Sequence, residues 1–517
     1  MSIELNRRAL LRAVGGAAIL SPVLAACGVP KSAGAKAGAS SSGAPVKGGS
    51  AVLAIQDDPV NMDPADGQIY ASIQVYDNIF SKLLAVTPDF QFVGDLATKW
   101  TQDDPKTWSF TIVDNAYFQN GDHLTAQDVA YSVERLKTHA LSAFVSFFDT
   151  VEVIDDYNFK IHLTDPYGPM EATLASFVDV VSKKAVTTSN PQLKPVGSGP
   201  YKMTQWVQGS HVTLQRWEKY YKKDQPYLDT VTFQSVSDDS VRLSGLQSGQ
   251  FDWIQTVPQQ QVSSLLSNTS IDHTAARAYL PYLAEVNTTA APFSDVRVRQ
   301  AMNWVIDRSQ IVELAFSGNA EAATEAVAKV NPFYSGANYY SGGPNLAKAK
   351  QLMAAAKPSR TSIEILVEAE VQAYALIAQV LQSNLAQIGI QASIVTASSA
   401  DYFSRMASQN YDLAMTYFSA SMDPALSYRL LGYSNSGFNF SGYKSPTLDQ
   451  ALDTFTLNSN QTARKAYYPT LVELFQKESP FIFLANQYQQ YWTTPNLHGA
   501  APLPNLDINV SALWKSE

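Results

Sequence analysis

The chain has one cysteine among its 517 residues, Cys27, and six histidines. A single cysteine excludes a disulfide within the chain. The histidines do not pair at the spacings that metal sites use, and no His-Glu-x-x-His motif occurs among them: His123, His139, His162, His211, His273 and His498. The sequence therefore gives no support for a bound metal, and we expect no cofactor.

Sequence motifs of catalysis are also missing. There is no Gly-x-Ser-x-Gly nucleophile elbow and no Walker loop. The glycine-rich stretch GSGPY (Gly197–Tyr201) lacks the lysine and the following helix of a phosphate cradle. We interpret it as a tight turn before a strand. The sequence thus favours a protein that is not an enzyme, although a triad that forms only in the folded chain would escape such a search.

Charge and hydropathy exclude two further classes. The chain has 37 basic and 46 acidic residues, for a formal net charge of −9. An acidic balance argues against nonspecific binding of nucleic acid, because the phosphate backbone attracts basic surfaces. After the N-terminal region no uninterrupted apolar run is long enough to cross a bilayer.

The first 27 residues are typical of a secretory signal. Arg7, Arg8 and Arg12 make a basic region, and an apolar stretch of small residues follows from Ala13 to Ala26. The segment Asn6–Arg12 (NRRALLR) resembles a twin-arginine export signal, and the general secretory route is the alternative. Both routes predict a protein that works outside the cytoplasm.

The single cysteine ends this signal. Leu24–Cys27 (LAAC) resembles a bacterial lipobox, in which the thiol receives a diacylglycerol. The alternative is an unmodified cysteine in an ordinary signal peptide. We expect Cys27 to anchor the protein to the outer face of the cytoplasmic membrane. Residues 28–48, rich in Gly, Ala and Ser, are predicted to form a flexible tether between anchor and body.

From Gly49 onward, strand-like and helix-like segments alternate, which predicts an α/β chain with mixed sheets. Ser50–Gln56 reads as the first strand. Thr125 is predicted to cap a helix with Asp128 three residues later, and Ser294 to cap another. Gly389 is predicted to end a third helix, and a strand follows it at once.

Eight segments occur in the order found in one protein family. They are NMDPADGQIYASIQVYDNIFSKLL, DLATKWT, YFQNGDHLTAQDVAYSVERL, PVGSGPYKM, YLDTVTFQSVSDDSVRLSGLQSGQFDW, FSDVRVRQAMNWVIDRSQIV, YDLAMTYFSASMDP and SPFIFLANQ. From about Gly48 to its C-terminus the chain resembles the family-5 extracellular solute-binding proteins of ABC transporters, the group of dipeptide, oligopeptide and nickel receptors. Each motif is weak alone, whereas their common order over the whole body is specific.

The resemblance implies a two-lobed, periplasmic-binding-protein-like α/β fold with two crossover strands. Lobe I would comprise residues 49–82, 183–288 and 486–517. A further domain, residues 83–182, would be inserted in lobe I. Lobe II would span residues 289–485, with the crossings near Ala284–Thr288 and Leu484–Tyr488.

A solute would lie between the lobes, where tyrosine and phenylalanine make good walls for a polar organic ligand. The resemblance points to these ligand-binding residues: Gln68, Ile69, Tyr70, Phe144, Phe147, Arg405, Tyr417, Phe418, Ser419 and Ala420. In peptide-binding members an aspartate of the late D…DP segment pairs with the peptide's α-ammonium. Here Ala420 or Ser421 stands in its place, with Asp423 kept nearby.

The predicted function is capture of a solute by lobe closure and its delivery to membrane permease subunits of an ABC importer. The loss of the aspartate leaves open an oligopeptide, a capped peptide, an oligosaccharide or another amphiphilic solute, held by a monomer. Two alternatives use the same scaffold: a secreted hydrolase and a surface sensory module.

Overall fold

The computed structural model describes residues 44–66, 70–274, 277–418 and 422–516, with residues 277 and 278 described by their backbone alone. The predicted signal, Cys27 and most of the predicted tether lie outside the described residues.

The described chain alternates irregularly between strands and helices. The strands are β1 (Ser50–Ile55), β2 (Ser81–Lys82), β3 (Leu84–Val86), β4 (Phe92–Gly94), β5 (Ala97–Asp104), β6 (Thr107–Ile112), β7 (Phe148–Val153), β8 (Asn158–Leu163), β9 (Asp179–Val180), β10 (Tyr201–Val207), β11 (His211–Arg216), β12 (Thr230–Ser235), β13 (Trp253–Ile254), β14 (Asp272–His273), β15 (Arg277–Val286), β16 (Ala320–Ala322), β17 (Ser362–Glu368), β18 (Gln391–Ala397), β19 (Leu413–Tyr417), β20 (Phe481–Gln489), β21 (Trp492–Thr493), β22 (Leu497–His498) and β23 (Trp514–Lys515).

The helices, in chain order, are α1 (Tyr70–Tyr76), α2 (Ala126–Leu136), α3 (Met170–Ser176), α4 (Lys183–Thr188), α5 (Asp239–Gln247), α6 (Val262–Leu265), α7 (Val296–Val305), α8 (Arg308–Phe316), α9 (Leu346–Ala356), α10 (Gln372–Ala386), α11 (Ser399–Ala407), α12 (Pro424–Gly432), α13 (Pro446–Thr456) and α14 (Gln461–Glu478).

Three sheets define the parts of the body. Lobe I is built on the sheet β10-β11-β12-β1-β13-β21-β14, and lobe II on the sheet β16-β20-β15-β19-β17-β18. The inserted domain has the antiparallel sheet β5-β6-β8-β7. In lobe I, β1 runs parallel to β12 and β13, while β10, β11 and β12 pair antiparallel. The predicted α/β class with mixed sheets is confirmed by this pairing.

Each part has its own buried apolar core, as expected when one sheet face or helix stripe must be covered. Representative buried side chains are Leu53, Val231 and Trp253 in lobe I, Phe110, Val129 and Phe159 in the inserted domain, and Val298, Ile365 and Leu413 in lobe II. The apolar face of α2, which the spacing of its valines predicted, lies in the second of these cores.

The helix ends show how local sequence sets the elements. Thr125 caps α2 in a capping box with Asp128, as predicted. The cap of α7 is Asp295, one residue after the predicted Ser294, because its carboxylate accepts the Arg297 N–H. Gly389 has φ +82° and lies just past the end of α10, as predicted.

The glycines of GSGPY allow a close approach of two backbones. A Cβ on Gly197 would lie 2.0 Å from the Ile79 carbonyl oxygen. The Gly199 N–H donates to the same oxygen at 2.8 Å, and β10 begins at Tyr201. The interpretation of this stretch as a turn before a strand is confirmed.

Two chain segments connect the lobes. The chain leaves the lobe I sheet after β14 and enters the lobe II sheet at β15. It returns from β20, which pairs antiparallel with β15, to β21. The chain thus changes sheets between His273 and Arg277 and again between Gln489 and Trp492. The segments predicted as crossings, Ala284–Thr288 and Leu484–Tyr488, lie on the lobe II side of this change.

Candidate functional site

The candidate site is the seam, by which we mean the facing surfaces of lobe I and lobe II beside β15 and β20. These paired strands form the base of the seam and belong to the lobe II sheet. The Tyr279 hydroxyl on β15 donates to the Pro88 carbonyl at 2.8 Å, and its ring lies 5.6 Å from the Phe90 ring. The turn between β3 and β4 therefore braces the base of the seam.

On the lobe I side, Tyr70 is the first residue of α1, and its hydroxyl takes part in a hydrogen-bond network with side-chain amides. Its hydroxyl donates to the Leu506 carbonyl at 2.6 Å and accepts from Gln255 Nε2 at 2.8 Å. The Gln255 amide also donates to Gln489 Oε1 at 3.2 Å, which ties Tyr70 to β20. The Tyr70 ring packs against the core of lobe II. The side chain is thus fixed where the two lobes meet.

On the lobe II side, three tyrosines form a wall. Tyr417 ends β19 and is 40% exposed. Its ring lies 5.8 Å from the Tyr282 ring and 6.2 Å from the Tyr374 ring. The Tyr282 hydroxyl donates to Gln487 Oε1 at 2.9 Å. Partial desolvation raises the pKa of Tyr417, and so do the charges of Glu368 and Asp57. The wall thus consists of two buried rings, Tyr282 and Tyr374, and the exposed ring of Tyr417.

Those carboxylates stand at the carboxyl ends of parallel strands. Asp57 follows β1 in lobe I, whereas Glu368 ends β17 in lobe II and Glu370 follows it. Ser399 donates its hydroxyl to Glu368 at 2.5 Å. Desolvation raises the pKa of Asp57 and of Glu368, and the charge of Glu370 raises both further. The Asp57 charge also raises the pKa of Glu368.

Sequence reasoning missed these three carboxylates. Glu368 ends β17, whereas Asp57 and Glu370 lie on short segments after strands of different lobes, so no spacing along the chain connects all three. A signal was present in the rule that ligands of open α/β sheets bind beyond the carboxyl ends of the strands. Applied to β1 and β17, that rule points to Asp57 and Glu368.

The inserted domain touches lobe II along another edge. The Gly168 N–H donates to the Thr456 carbonyl at 2.8 Å, and Gln461 Nε2 donates to the Gly168 carbonyl at 2.8 Å. A Cβ on Gly168 would lie 2.4 Å from the Asn458 carbonyl oxygen, so the contact requires glycine. The two lobes are therefore in contact both at the seam and through the inserted domain.

Tyr70 lies at the seam on the lobe I side and Tyr417 on the lobe II side, whereas Phe144, Phe147 and Phe418 make other contacts. Phe144 stacks on Phe177 within the inserted domain, with ring centroids 3.8 Å apart. Phe147 lies 5.1 Å beneath the Arg429 guanidinium of lobe II, at the contact of the inserted domain. Phe418 packs against a lobe II core.

Arg405 is occupied by its own lobe. Its guanidinium pairs with Glu364 and donates to the Asn410 carbonyl at 3.0 Å. A contact from Arg405 to a solute, which the sequence predicted, remains a prediction and would require this pairing to be exchanged.

Four predicted residues lie outside the described residues: Gln68, Ile69, Ser419 and Ala420. Ser421 lies outside them too. Asp423 is described. It caps α12 by accepting the Ala425 N–H, and both its oxygens bind the fully buried Arg464 at 2.6 Å. The aspartate that this segment keeps is therefore committed to the internal structure of lobe II.

The described residues show few features of metal sites, membrane spans or catalytic sites. The residues that the structure describes contain no cluster of His, Cys, Asp and Glu fit to hold a metal, and no helix among them is long and apolar enough to span a membrane. A hydroxyl–imidazole–carboxylate array, Thr107–His162–Glu152, lies partly exposed on the inserted domain's sheet, with its hydroxyl 3.5 Å from the ring nitrogen. An open groove of about 630 Å³ runs along β10 and is lined by residues such as Lys202 and Trp206.

Known proteins resemble this chain in sequence over most of its length. Residues 91–440, more than half of the chain, match the model of "Bacterial extracellular solute-binding proteins, family 5 Middle". The glutathione-binding protein GsiB of Salmonella paratyphi A is 26% identical over 484 residues, covering 88% of this chain and 92% of its own.

Two solved structures show the same fold. DppA from Helicobacter pylori, in complex with the peptide STSA, is 22% identical with a TM-score of 0.79, over 91% of this chain and 99% of its own. AppA from Bacillus subtilis, in complex with a nonapeptide, is 22% identical with a TM-score of 0.80, over 92% of this chain and 100% of its own. The predicted two-lobed fold is confirmed. The chain belongs to the family 5 bacterial extracellular solute-binding proteins, as the order of its motifs predicted.

Proposed function

We propose that this protein is the extracytoplasmic solute-binding subunit of an ABC importer, which captures a peptide-like or other amphiphilic solute between its lobes and delivers it to the permease. Members of its family bind solutes for transport and are not enzymes, and we extend the absence of catalysis to this chain. The observation that carries the proposal is the seam itself, where Tyr70 of lobe I is tied through Gln255 to β20 and Tyr417 of lobe II lies beside Tyr282 on β15.

The side chains of the seam suit an organic solute with both apolar and polar parts. A tyrosine offers a flat apolar ring with one hydrogen-bonding group, and Gln255 offers an amide nearby. Each polar group of a solute that is buried without a partner costs about 1–3 kcal/mol, so a closed seam selects a solute whose groups are matched. A glutathione-binding relative and two peptide-bound relatives favour a peptide-like solute over an oligosaccharide.

Closure provides the signal for delivery. A solute that contacts both lobes stabilises the closed form by its preference for that form alone. Closed lobes then present one combined surface to a permease, as hinge proteins of this type do. The paired strands β15 and β20 are the hinge in this proposal. The hydrogen bond between Gly168 and Thr456 holds the inserted domain against lobe II at another edge.

The proposed site of action is the outer face of the cytoplasmic membrane, with the protein as a monomer anchored by lipidated Cys27. The Gly/Ala/Ser tract of residues 28–48 supports this proposal, because about 20 flexible residues reach on the order of 25 Å. An anchored body meets the same permease repeatedly at high local concentration. Export by the twin-arginine route belongs to the same proposal.

The test is identification of the solute that the protein retains. The full chain carrying Cys27→Ser is purified without denaturation, and released solutes are identified by mass spectrometry. The identified solute should raise the melting temperature of the emptied protein, and Tyr417→Ala should reduce that rise. Tyr117→Ala is the matched control, because Tyr117 is 39% exposed and lies on the inserted domain.

One outcome would favour the hydrolase alternative. If no retained or added peptide, capped peptide or oligosaccharide stabilised the protein, while a chromogenic ester or amide were turned over, the proposal would fail.

A further inference from the structure

One edge of lobe I carries an excess of positive charge in an acidic chain. Residues 183–223 contain eight lysines and arginines and a single acidic residue, Glu218, whereas the whole chain has a formal net charge of −9. These residues form α4, the strands β10 and β11 and the segments beside them. The positive charge is therefore concentrated where β10 ends the lobe I sheet.

Strand pairing places this edge level with the tether root, by which we mean Gly48–Ser50. Ser50, the first residue of β1, lies opposite Thr230 on β12. Thr230 lies opposite Gln215 on β11, and Gln215 lies opposite Lys202 on β10. Neighbouring strands are about 4.8 Å apart, so three steps across the sheet separate Ser50 from Lys202 by about 14 Å. Lys202 and the tether root thus lie at the same end of the sheet.

Hydrogen bonds and an ion pair tie the tether root to the basic residues. The Gly48 N–H donates to the Tyr227 carbonyl at 2.8 Å, in the segment between β11 and β12. The Gly49 N–H donates to the Asp229 carboxylate at 3.2 Å, and Asp229 pairs with Arg216 at 2.7 Å. The chain that leads toward the predicted anchor therefore leaves the body among these basic residues.

Four lysines at this end have no counter-ion among the described residues. Acidic groups nearby are matched by other cations, Glu218 by Arg216 at 3.1 Å and Asp224 by Lys47 at 3.9 Å. Four further lysines are exposed and form no ion pair within the described part of the chain: Lys194, Lys202, Lys219 and Lys223. We call these four lysines the basic patch.

Apolar side chains and an open groove lie beside the basic patch. The groove of about 630 Å³ along β10 has Lys194, Lys202 and Trp206 in its lining. Leu193, next to Lys194, and Val46, just before the tether root, are each 50% exposed. Lysines bordered by apolar and aromatic side chains suit an interface with lipid headgroups.

We propose that the basic patch is a membrane-facing surface, which binds the anionic headgroups of phospholipids and holds lobe I against the bilayer that carries the lipid anchor. Clustered lysines are attracted to anionic lipid surfaces within about a Debye length, roughly 10 Å. A flexible tether of about 20 residues reaches on the order of 25 Å, so the end of the body from which it leaves stays close to the headgroups. The surface rests on the proposed function, because it requires the lipid anchor.

The seam lies at the opposite end of the same strands. β13 runs parallel to β1, with Ala54 opposite Ile254. Gln255, the next residue, donates to Gln489 of β20 at 3.2 Å. β1 thus begins at the tether root and ends toward the seam, about 20 Å away along its six residues. A body that lies with the basic patch on the bilayer therefore holds its seam off the lipid, where a solute reaches it, and it must leave the lipid to dock on a permease.

The first test measures vesicle binding of the full chain carrying Cys27→Ser, to which no lipid anchor contributes. Vesicles of phosphatidylcholine alone are compared by co-sedimentation with vesicles of phosphatidylcholine and phosphatidylglycerol in equal parts. We expect binding to the anionic vesicles to be tighter by at least tenfold. That preference should disappear at about 0.5 M salt, because salt screens exposed charges.

Variants assign the preference to the basic patch. The arginines of the predicted signal also attract anionic lipid, but they are the same in every variant. The patch variant combines Lys202→Glu, Lys219→Glu and Lys223→Glu. It should bind the anionic vesicles at least tenfold more weakly than the chain with Cys27→Ser alone, and circular dichroism and melting temperature show whether it is folded.

The matched control makes the same change of charge in lobe II. It combines Lys348→Glu, Lys350→Glu and Lys357→Glu, three exposed lysines in α9 and just after it. Because these lysines lie far along the chain in the other lobe, their loss should weaken vesicle binding by less than threefold.

A second measurement needs no variant. The lipidated protein is reconstituted on vesicles of either composition and acetylated briefly with an amine-reactive reagent, and the modified lysines are quantified by mass spectrometry. The lysines of the basic patch should react at least threefold more slowly on anionic vesicles than on neutral ones. Lys348 and Lys350 should react equally on both.

Three results would overturn the membrane-facing surface. The first is equal weakening of vesicle binding in the patch variant and the control variant, and the second is equal acetylation of the patch lysines on both kinds of vesicle. The third is slower import by the patch variant with unchanged vesicle binding, which would assign the patch to an acidic surface of the permease. Absence of any retained solute would count against the proposed function instead, and the vesicle measurements would still decide the patch.

Discussion

Glu285 provides the sharpest test of the packing beneath the seam. It lies in the middle of the lobe II sheet on β15, opposite Ala414 on β19 and Phe481 on β20. The residue is fully buried, and neither carboxyl oxygen has a hydrogen-bond partner. Burial raises the pKa of Glu285 from its ordinary 4.5 to about 8. The carboxyl is therefore protonated in the folded protein at neutral pH.

The nearby tyrosines do not relieve this burial. The Tyr402 hydroxyl donates to the Met415 carbonyl, and the Tyr411 hydroxyl donates to the Phe440 carbonyl at 2.8 Å. Both donors are thus committed to backbone oxygens. An ionised Glu285 would have no partner in the sheet.

The consequence is a stability that falls as the pH rises. Below pH 4.5 the group is protonated in the folded and unfolded chain, and it costs nothing through titration. Between about pH 5 and 8 the unfolded chain ionises while the folded chain does not, which lowers the free energy of unfolding by about 1.4 kcal/mol per pH unit. The accumulated loss at pH 8 is about 4 kcal/mol, an upper figure because local opening would reduce it.

The assay compares the chain with Glu285→Gln across pH 4.5 to 8. Gln keeps the shape without the titration, so the two proteins should be equally stable at pH 4.5 and diverge above it, with the variant the more stable at pH 8. Urea unfolding is followed through the transition that includes lobe II, because a two-lobed chain need not unfold in one step. Glu313→Gln is the control, since that side chain is exposed. Parallel curves for wild type and Glu285→Gln would refute a buried, neutral Glu285.

Three further predictions concern binding, anchoring and folding. Tyr70→Phe removes the hydroxyl that joins Leu506 and Gln255, and affinity for the retained solute should fall by about tenfold, measured by calorimetry. Cys27→Ser should release the protein from the membrane fraction with its solute affinity unchanged, and lost affinity would mean that the cysteine does more than anchor. Arg464→Met leaves Asp423 buried without its partner, so the free energy of unfolding should fall by about 3–5 kcal/mol. The double variant Arg464→Met with Asp423→Asn should recover much of that loss, measured by urea unfolding.

The sequence predicted the architecture because the order of motifs and the local rules agree. Thr125 and Asp128 form the predicted capping box, and the turn at Gly197 precedes β10. Asp295 caps α7 instead of the predicted Ser294. Serine and aspartate both cap helices, and only the backbone geometry determines which of two neighbours does so. The local sequence therefore predicts where a helix or strand lies, and it predicts the ends of that element to within about one residue.

The site was harder to predict, because its members are distant in sequence. Tyr70 and Tyr417 were identified from segments that resemble the family. Tyr70 packs against the core beside β15, and Tyr417 ends the neighbouring strand β19, while their contact with a solute stays a prediction. The sequence does not reveal that Arg405 is already paired with Glu364, or that Phe144 is stacked on Phe177. Such contacts depend on the packing of several elements, which spacing along the chain does not record.

The central claim is that the seam binds the solute. A crystal structure of the full chain carrying Cys27→Ser with its retained solute tests this most directly. We expect a solute between the lobes, in contact with the exposed ring of Tyr417. A solute seated instead in the groove along β10, beside Trp206, would contradict it.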